Sequence, residues 1–272
     1  MASPSANLRS SGTYLFLGLM SFLSVFPFIW MIIGATNSTV DITKGKVTFG
    51  SALFTNATNF FNSVNAPLVF WNTTKLALLS TILTLTVSSI AGYGFEMFRS
   101  RTRERVYNLM LLTLFVPFAA LMIPLFIMMG KSGLINTHTS VLLPFIATAF
   151  IIFYFRQSTK AFPNELRDAA KVDGLKEWQI FLFIYVPVMR STYAAAFIIV
   201  FLASWNNYLW PLIVLQSNET KTITLVVSSL GSAYYPDFGV VMVGTVLATI
   251  PTLLVFFAMQ RQFVQGMLGS VK

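Results

Sequence analysis

Ionisable side chains are few in this 272-residue chain: nine Asp and Glu, eighteen Lys and Arg, one histidine and no cysteine. Without cysteine there is no disulfide and no thiolate metal site, and the lone His138 cannot build a histidine-rich one, so it reads as a plain loop residue. The richest segment is Phe162-Pro163-Asn164-Glu165-Leu166-Arg167-Asp168-Ala169-Ala170-Lys171-Val172-Asp173-Gly174-Leu175-Lys176-Glu177-Trp178-Gln179-Ile180-Phe181, closing with Ile184-Tyr185-Val186-Pro187. Its chemistry is that of docking. Asn164 is expected to cap a helix whose first turn holds Glu165 and Asp168, both favourable near the positive helix end. Leu166, Ala169, Ala170 and Asp173 are expected on one face, kept shallow by the alanines so that another surface can approach the backbone. Gly174 supplies the left-handed residue that ends the helix. A second short amphipathic helix, from Lys176 to about Tyr185, brings Trp178 and Phe181 toward a membrane edge, and Pro187 marks the turn into the next apolar stretch. On these residues alone, docking to a protein and lying on anionic lipid are equal readings.

The elements that position this segment are apolar. The chain is 56% hydrophobic and 10% charged, whereas a soluble domain is about 25% charged, so lipid must be the solvent for much of it. A helix crossing about 30 Å of hydrocarbon needs about 20 apolar residues. Six such stretches occur, at about 13–35, 73–95, 106–129, 140–155, 192–215 and 238–260, with a loop at about 160–187, in a single transmembrane domain of residues 1–272. The first is too long for a signal-peptide core. Arg9 precedes the first span, Arg99, Arg101, Arg103 and Arg105 crowd the gap after the second, and Arg156, Lys160, Arg167, Lys171, Lys176 and Arg190 the gap after the fourth. Arg261 and Lys272 follow the sixth, while the alternate gaps hold no arginine. Positive loops stay in the cytoplasm, which places both termini and the docking segment inside. The net charge of +9 is therefore topological and does not point to nucleic acid.

No span carries a charged residue near its middle, which disfavours an ion-coupled carrier. Gly130-Lys131-Ser132 mimics the end of a phosphate-binding loop, but Leu125 stands where that motif needs glycine. The spans carry Pro117, Pro124, Pro144, Pro211 and Pro251, as expected for kinked helices around a cavity or simply for membrane helices. Asn37, Asn56, Asn72 and Asn218 open Asn-x-Ser/Thr triplets in outer loops and read as chance occurrences.

The run Asp168-Ala169-Ala170, then Asp173-Gly174, then Ile184 and Pro187, resembles the EAA loop of ABC importer permeases, with aspartate in place of the usual first glutamate. The flanking Pro163-x-Glu165-Leu166 and Trp178-Gln179-Ile180-Phe181 are similar to the carbohydrate branch, maltose-type and MalG-like. So are Trp205-Asn206-Asn207-Tyr208-Leu209-Trp210-Pro211 and the closing Gly266-x-x-x-Ser270-Val271-Lys272. The resemblance implies an all-α membrane protein with six transmembrane helices and the type I ABC importer permease fold. It implies a multi-pass subunit of a bacterial inner-membrane sugar importer, for a disaccharide or oligosaccharide, that is not itself an enzyme.

It further implies that Glu165, Asp168, Ala169, Ala170, Asp173, Gly174 and Pro187 couple to an ATPase. The implied partners are a second homologous permease subunit, two ATPase subunits, an extracytoplasmic sugar-binding protein and membrane lipid. No cofactor is expected in this chain, with ATP and magnesium held by the ATPase. Trp205, Asn206, Asn207 and Tyr208 are candidates for lining the pathway, or for helix packing. Tyr234, Tyr235 and Asp237 are candidates for contacting the binding protein, and the tail from Gln265 to Lys272 for reaching the ATPase, or for fraying. The other readings are a permease of another ABC importer class, for amino acids or phosphate, and an ion-coupled secondary carrier or membrane scaffold.

Overall fold

The computed structural model describes residues 4–268, helical with no strand among them. In chain order the helices are α1 (Pro4–Ala35), α2 (Thr39–Thr43), α3 (Leu53–Ser63), α4 (Ala66–Met97), α5 (Arg101–Leu112), α6 (Phe118–Lys131), α7 (His138–Leu142) and α8 (Ala149–Thr159). Then follow α9 (Asn164–Val172), α10 (Glu177–Ile180), α11 (Val186–Val188), α12 (Arg190–Trp205), α13 (Leu209–Val214), α14 (Ile223–Gly231) and α15 (Phe238–Leu268). A π turn, Phe181–Tyr185, joins α10 to α11.

Among the described residues, four helices are long and apolar enough to cross a membrane: Gly12–Ala35, Ala66–Met97, Arg190–Val214 and Phe238–Arg261. Two bent pairs bring the number to as many as six. Arg101–Phe115 and Phe118–Lys131 meet at 102°, and His138–Phe145 and Ala149–Thr159 at 44°. The first bend has a local cause. Pro117 has no N–H to give and pushes the residue before it out of the helical region, and Val116 is extended at φ −84°, ψ 114°. Gly130-Lys131 closes α6, whereas a phosphate loop opens a helix.

The chain forms two compact units. One runs up to Ala66 and includes Val226–Ile250; the other is Pro67–Leu225 with the residues from Pro251 on. In the first unit, α1 exposes apolar side chains around its circumference, among them Tyr14, Leu15, Phe16 and Leu17, as suits a helix solvated by lipid. The amide of Asn56 donates to the carbonyls of Ala35 and Asn37, both at 2.9 Å, and Asn37 donates to Ile33 and Thr48. Both asparagines are buried, as is Asn72 in the second unit. Three of the four glycosylation-like triplets therefore serve packing.

In the second unit, α4 buries a stripe of small polar residues, Ser80, Thr81, Thr84, Ser88 and Ser89, that lets other helices approach closely. Thr73 and Thr81 bond back to the carbonyl four residues earlier, so their hydroxyls do not stay bare in an apolar setting. Gly92 is the closest approach. A Cβ there would lie 2.6 Å from Phe155 Cβ and 2.8 Å from Arg156 N, so α4 and α8 pack backbone to backbone at this turn.

Candidate functional site

Helix α9 starts at Asn164, with Pro163 extended in the cap position and no side-chain capping bond. Asn164 is thus the first helical residue and not the cap expected for it; proline's fixed φ suits the entry to a helix. The C-terminus follows the expectation. Gly174 has φ +81°, its N–H donates to Lys171 O, and that of Leu175 donates to Ala170 O, each at 3.0 Å. This is the pairing of a glycine-closed helix end. The Lys176 N–H then donates to Gln179 Oε1 at 2.8 Å, opening α10.

Glu177 holds the two helices together. Arg167 Nη2 donates to its Oε1 at 2.6 Å and Arg167 Nε to its Oε2 at 3.3 Å, while Lys171 Nζ lies 3.0 Å from Oε1. The Tyr93 hydroxyl, from α4, donates to Oε2 at 3.1 Å. Burial alone would raise the Glu177 pKa, but the hydrogen bonds from Arg167, Lys171 and Tyr93 outweigh it and hold the carboxyl below its ordinary value. Burial likewise opposes the charge on Arg167, and Glu177 more than restores it. Beneath this clamp, Tyr93, Phe162, Tyr185 and Met189 form a buried cluster, with Tyr93 and Tyr185 ring centres 4.8 Å apart. The Tyr185 and Thr159 hydroxyls lie 2.7 Å apart, tying the π turn to α8.

The outward face of α9 differs from the expected one. Glu165, Leu166, Asp168, Ala169, Val172 and Asp173 are exposed, Val172 at 88%, but Ala170 is buried. Successive residues of a helix are about 100° apart, so the two alanines do not share one face. Ala169 belongs to the surface, and Ala170 packs inward. Pro187 lies within α11, and the turn into α12 falls at Met189.

A second ionic cluster escaped the sequence. Arg156 is buried in α8, where its Nε donates to Glu96 at 3.3 Å, its Nη2 pairs with Glu104, and its guanidinium stacks 3.9 Å from the Tyr107 ring centre. Glu96 also pairs with Arg99. The carboxylate partners of Arg156 lie more than fifty residues away, so no local spacing betrays them.

The remaining candidates are scattered. Trp205 is 2% exposed and stacks on Phe201, with ring centres 5.8 Å apart. Asn206 is exposed and donates to Leu202 O at 2.9 Å, and Tyr208 is exposed. Asn207 lines a cavity of about 400 Å³. In the other unit Tyr234 and Tyr235 are almost fully exposed, edge to face at 4.6 Å. Asp237 caps α15, accepting from the N–H groups of Gly239 and Val240 and from Thr39 Oγ1 at 2.8 Å. The side chain of Gln265 and the whole of Lys272 lie outside the described residues. His138 Nε2 lies 3.0 Å from Thr220 O, in a packed turn.

Residues 84–269 match the model of the family described as binding-protein-dependent transport system inner membrane component. The chain is 75% identical over 259 residues to the lactose transport system permease protein LacG of Rhizobium radiobacter, covering 95% of each chain. It is 34% identical to the arabinooligosaccharides transport system permease protein AraQ of Bacillus subtilis (strain 168), covering 99% of this chain and 98% of that one. Its fold is that of a chain in the crystal structure of a bacterial ABC transporter involved in the import of the acidic polysaccharide alginate. There the TM-score is 0.84, with 21% identity and coverage of 97% of this chain and 99% of the other.

Proposed function

We propose that this chain, which belongs to the family of binding-protein-dependent transport system inner membrane components, carries a disaccharide or short oligosaccharide across the membrane and is driven through α9 by an ABC ATPase. The clamp on Glu177 carries the reading. A helix that must transmit force cannot hinge freely on its own loop, and α9 is fixed to α10 and to Tyr93 of α4 by one carboxylate. Its exposed face offers acidic side chains beside Leu166, Ala169 and Val172, a surface made to meet protein. The sugar is supported by the lactose and arabinooligosaccharide permeases among its relatives.

In this reading a second permease subunit completes the pathway, two ATPase subunits bind at the cytoplasmic face, and an external binding protein delivers the sugar. ATP and magnesium stay with the ATPase, and this chain catalyses no reaction. Glu165, Asp168, Ala169, Asp173 and Gly174 meet the ATPase, with Ala170 and Pro187 supporting them from behind. Closure of the ATPases moves the clamped helices as one body and shifts the spans between two arrangements. Tyr234 and Tyr235 meet the binding protein, Asp237 sets the start of the helix beneath them, and the tail from Gln265 to Lys272 reaches the ATPase.

Gly174→Val tests this directly. The left-handed backbone at +81° is strained for any residue with a β-branch, although open space surrounds the position. Membrane insertion should be retained and sugar-stimulated ATP hydrolysis lost. Normal stimulation in that variant would contradict the reading.

A further inference from the structure

Arg156 stands where a lone cation would be costly. Its side chain is 7% exposed, on the turn of α8 that packs backbone to backbone against α4 at Gly92. Two carboxylates from two other helices compensate it. Glu96 of α4 lies 3.3 Å away and is as buried as the arginine, whereas Glu104 of α5 lies 2.5 Å away and is 40% exposed. Tyr107, about one turn further along α5, covers the guanidinium with its ring.

A buried ion pair adds little net stability, because desolvation offsets the attraction and apolar side chains of similar volume hold a fold as well. The best-attested use of such a cluster is to fix a register or to switch between arrangements. The two halves of this one are unequal, as a switch requires. Parting Arg156 from Glu96 would strand both charges in a buried site. Releasing Glu104 lets its half-exposed carboxylate turn into water and leaves Arg156 still paired with Glu96. A second contact ties the same place to α9. Two guanidiniums lie over the ring of Phe98, in the short link between α4 and α5: Arg103 of α5 at 5.5 Å and Arg167 of α9 at 5.1 Å. Arg103 also donates to Phe98 O. Arg167 is the residue that grips Glu177, so the clamp on α9 touches the link from which α5 starts. Helix α5 in turn leads into the 102° break at Pro117.

We infer that Arg156 is a positioning residue for transport, whose pairing with Glu104 latches α5 to α8 in the resting state and is released when α9 moves. The inference rests on reading α9 as the helix that the ATPase drives. It adds a second route by which that movement reaches the spans, through Phe98 to α5, beside the one through Tyr93 to α4. Glu96 stays with Arg156 in both arrangements, so the latch opens without leaving a buried charge alone.

The test puts spin labels on Arg105→Cys and Lys160→Cys, exposed positions one residue and one turn from the latch. The chain has no other cysteine, and the complete transporter is assembled with cysteine-free partner subunits. The resting transporter should give one short distance between the labels, and a second, longer one should appear when ATP is trapped. Glu104→Gln should show the longer distance without ATP while the ATPase still co-purifies. Its sugar-independent ATP hydrolysis should rise about fivefold or more, the lower end of a typical coupling between sites. Glu104→Asp keeps the charge and should return both readings toward wild type, which loss of packing alone would not do. The distance comparison uses the intact cluster, so it decides the matter even if the glutamine variant fails to assemble. The same distance in both states, or basal hydrolysis in Glu104→Gln equal to wild type, would overturn the latch while sugar uptake continues. A wild-type transporter that moves no sugar from a panel including lactose, maltose and arabinobiose would overturn the importer reading and the latch with it.

Discussion

Arg167 and Glu177 face each other across the glycine that ends α9, with Arg167 Nη2 donating to Glu177 Oε1 at 2.6 Å. The contact converts two short helices into one body. Gly174 turns the chain, and the ion pair prevents that turn from acting as a hinge. Because Tyr93 reaches the same carboxylate, displacement of α9 pulls on α4, the most buried of the long spans.

Replacing Glu177 with glutamine should loosen the pair. Hydrogen bonds to a charged group contribute about 1.5–3 kcal/mol, so amide exchange in residues 165–175 should quicken about tenfold or more. The dependence on pH has a definite sign. A carboxyl held below its ordinary value adds stability that is fully present above that value and lost as pH falls through the depressed one. The gap between wild type and Glu177→Gln should therefore be flat from neutral pH down to roughly 5.5 and close below about 4.5. A gap that grows with acidity would contradict the assignment.

The two adjacent alanines should behave differently. Ala169→Leu alters only an exposed position, so thermal stability should change by no more than about 0.5 kcal/mol, while co-purification of the ATPase is lost. Ala170→Leu overfills a buried position, at about 1–3 kcal/mol, and should lower the melting temperature of the purified chain itself. Melting curves and pull-downs on the pair separate a surface contact from a packing contact, and the reverse pattern would refute the orientation of α9.

Asn136 should matter to the outer turn more than its setting suggests. It is left-handed at φ 61°, and its Oδ1 accepts from the N–H groups of Gln216 and Ser217 and from the Thr220 hydroxyl at 2.8–3.0 Å. Asn136→Ala removes the shared acceptor and should cost about 1–3 kcal/mol, read as increased protease sensitivity at 216–220 with α9 unaffected.

Much of this was legible in the residues. Long uncharged runs announce the spans because hydrocarbon tolerates little else, and Gly174 announces a helix end because a left-handed backbone is cheap only for glycine. What resisted reading depends on distance along the chain. Arg156 looked like one more positive loop charge, yet it is buried against Glu96 and Glu104, brought there by the contact at Gly92. Ala170 faces inward because the clamp fixes the rotation of α9, and that clamp uses Tyr93, far upstream. Pro117 reads as a kink, but the 102° angle of the break is not legible from the residue type.

The chain contains no cysteine, so a single one introduced at Ala169 can be followed without background. A membrane-impermeant maleimide should label it in inside-out vesicles lacking the ATPase and not in right-side-out ones, with labelling blocked once the ATPase assembles. Reaction from the outer side, or undiminished labelling in the intact transporter, would show that α9 is not where the motor grips.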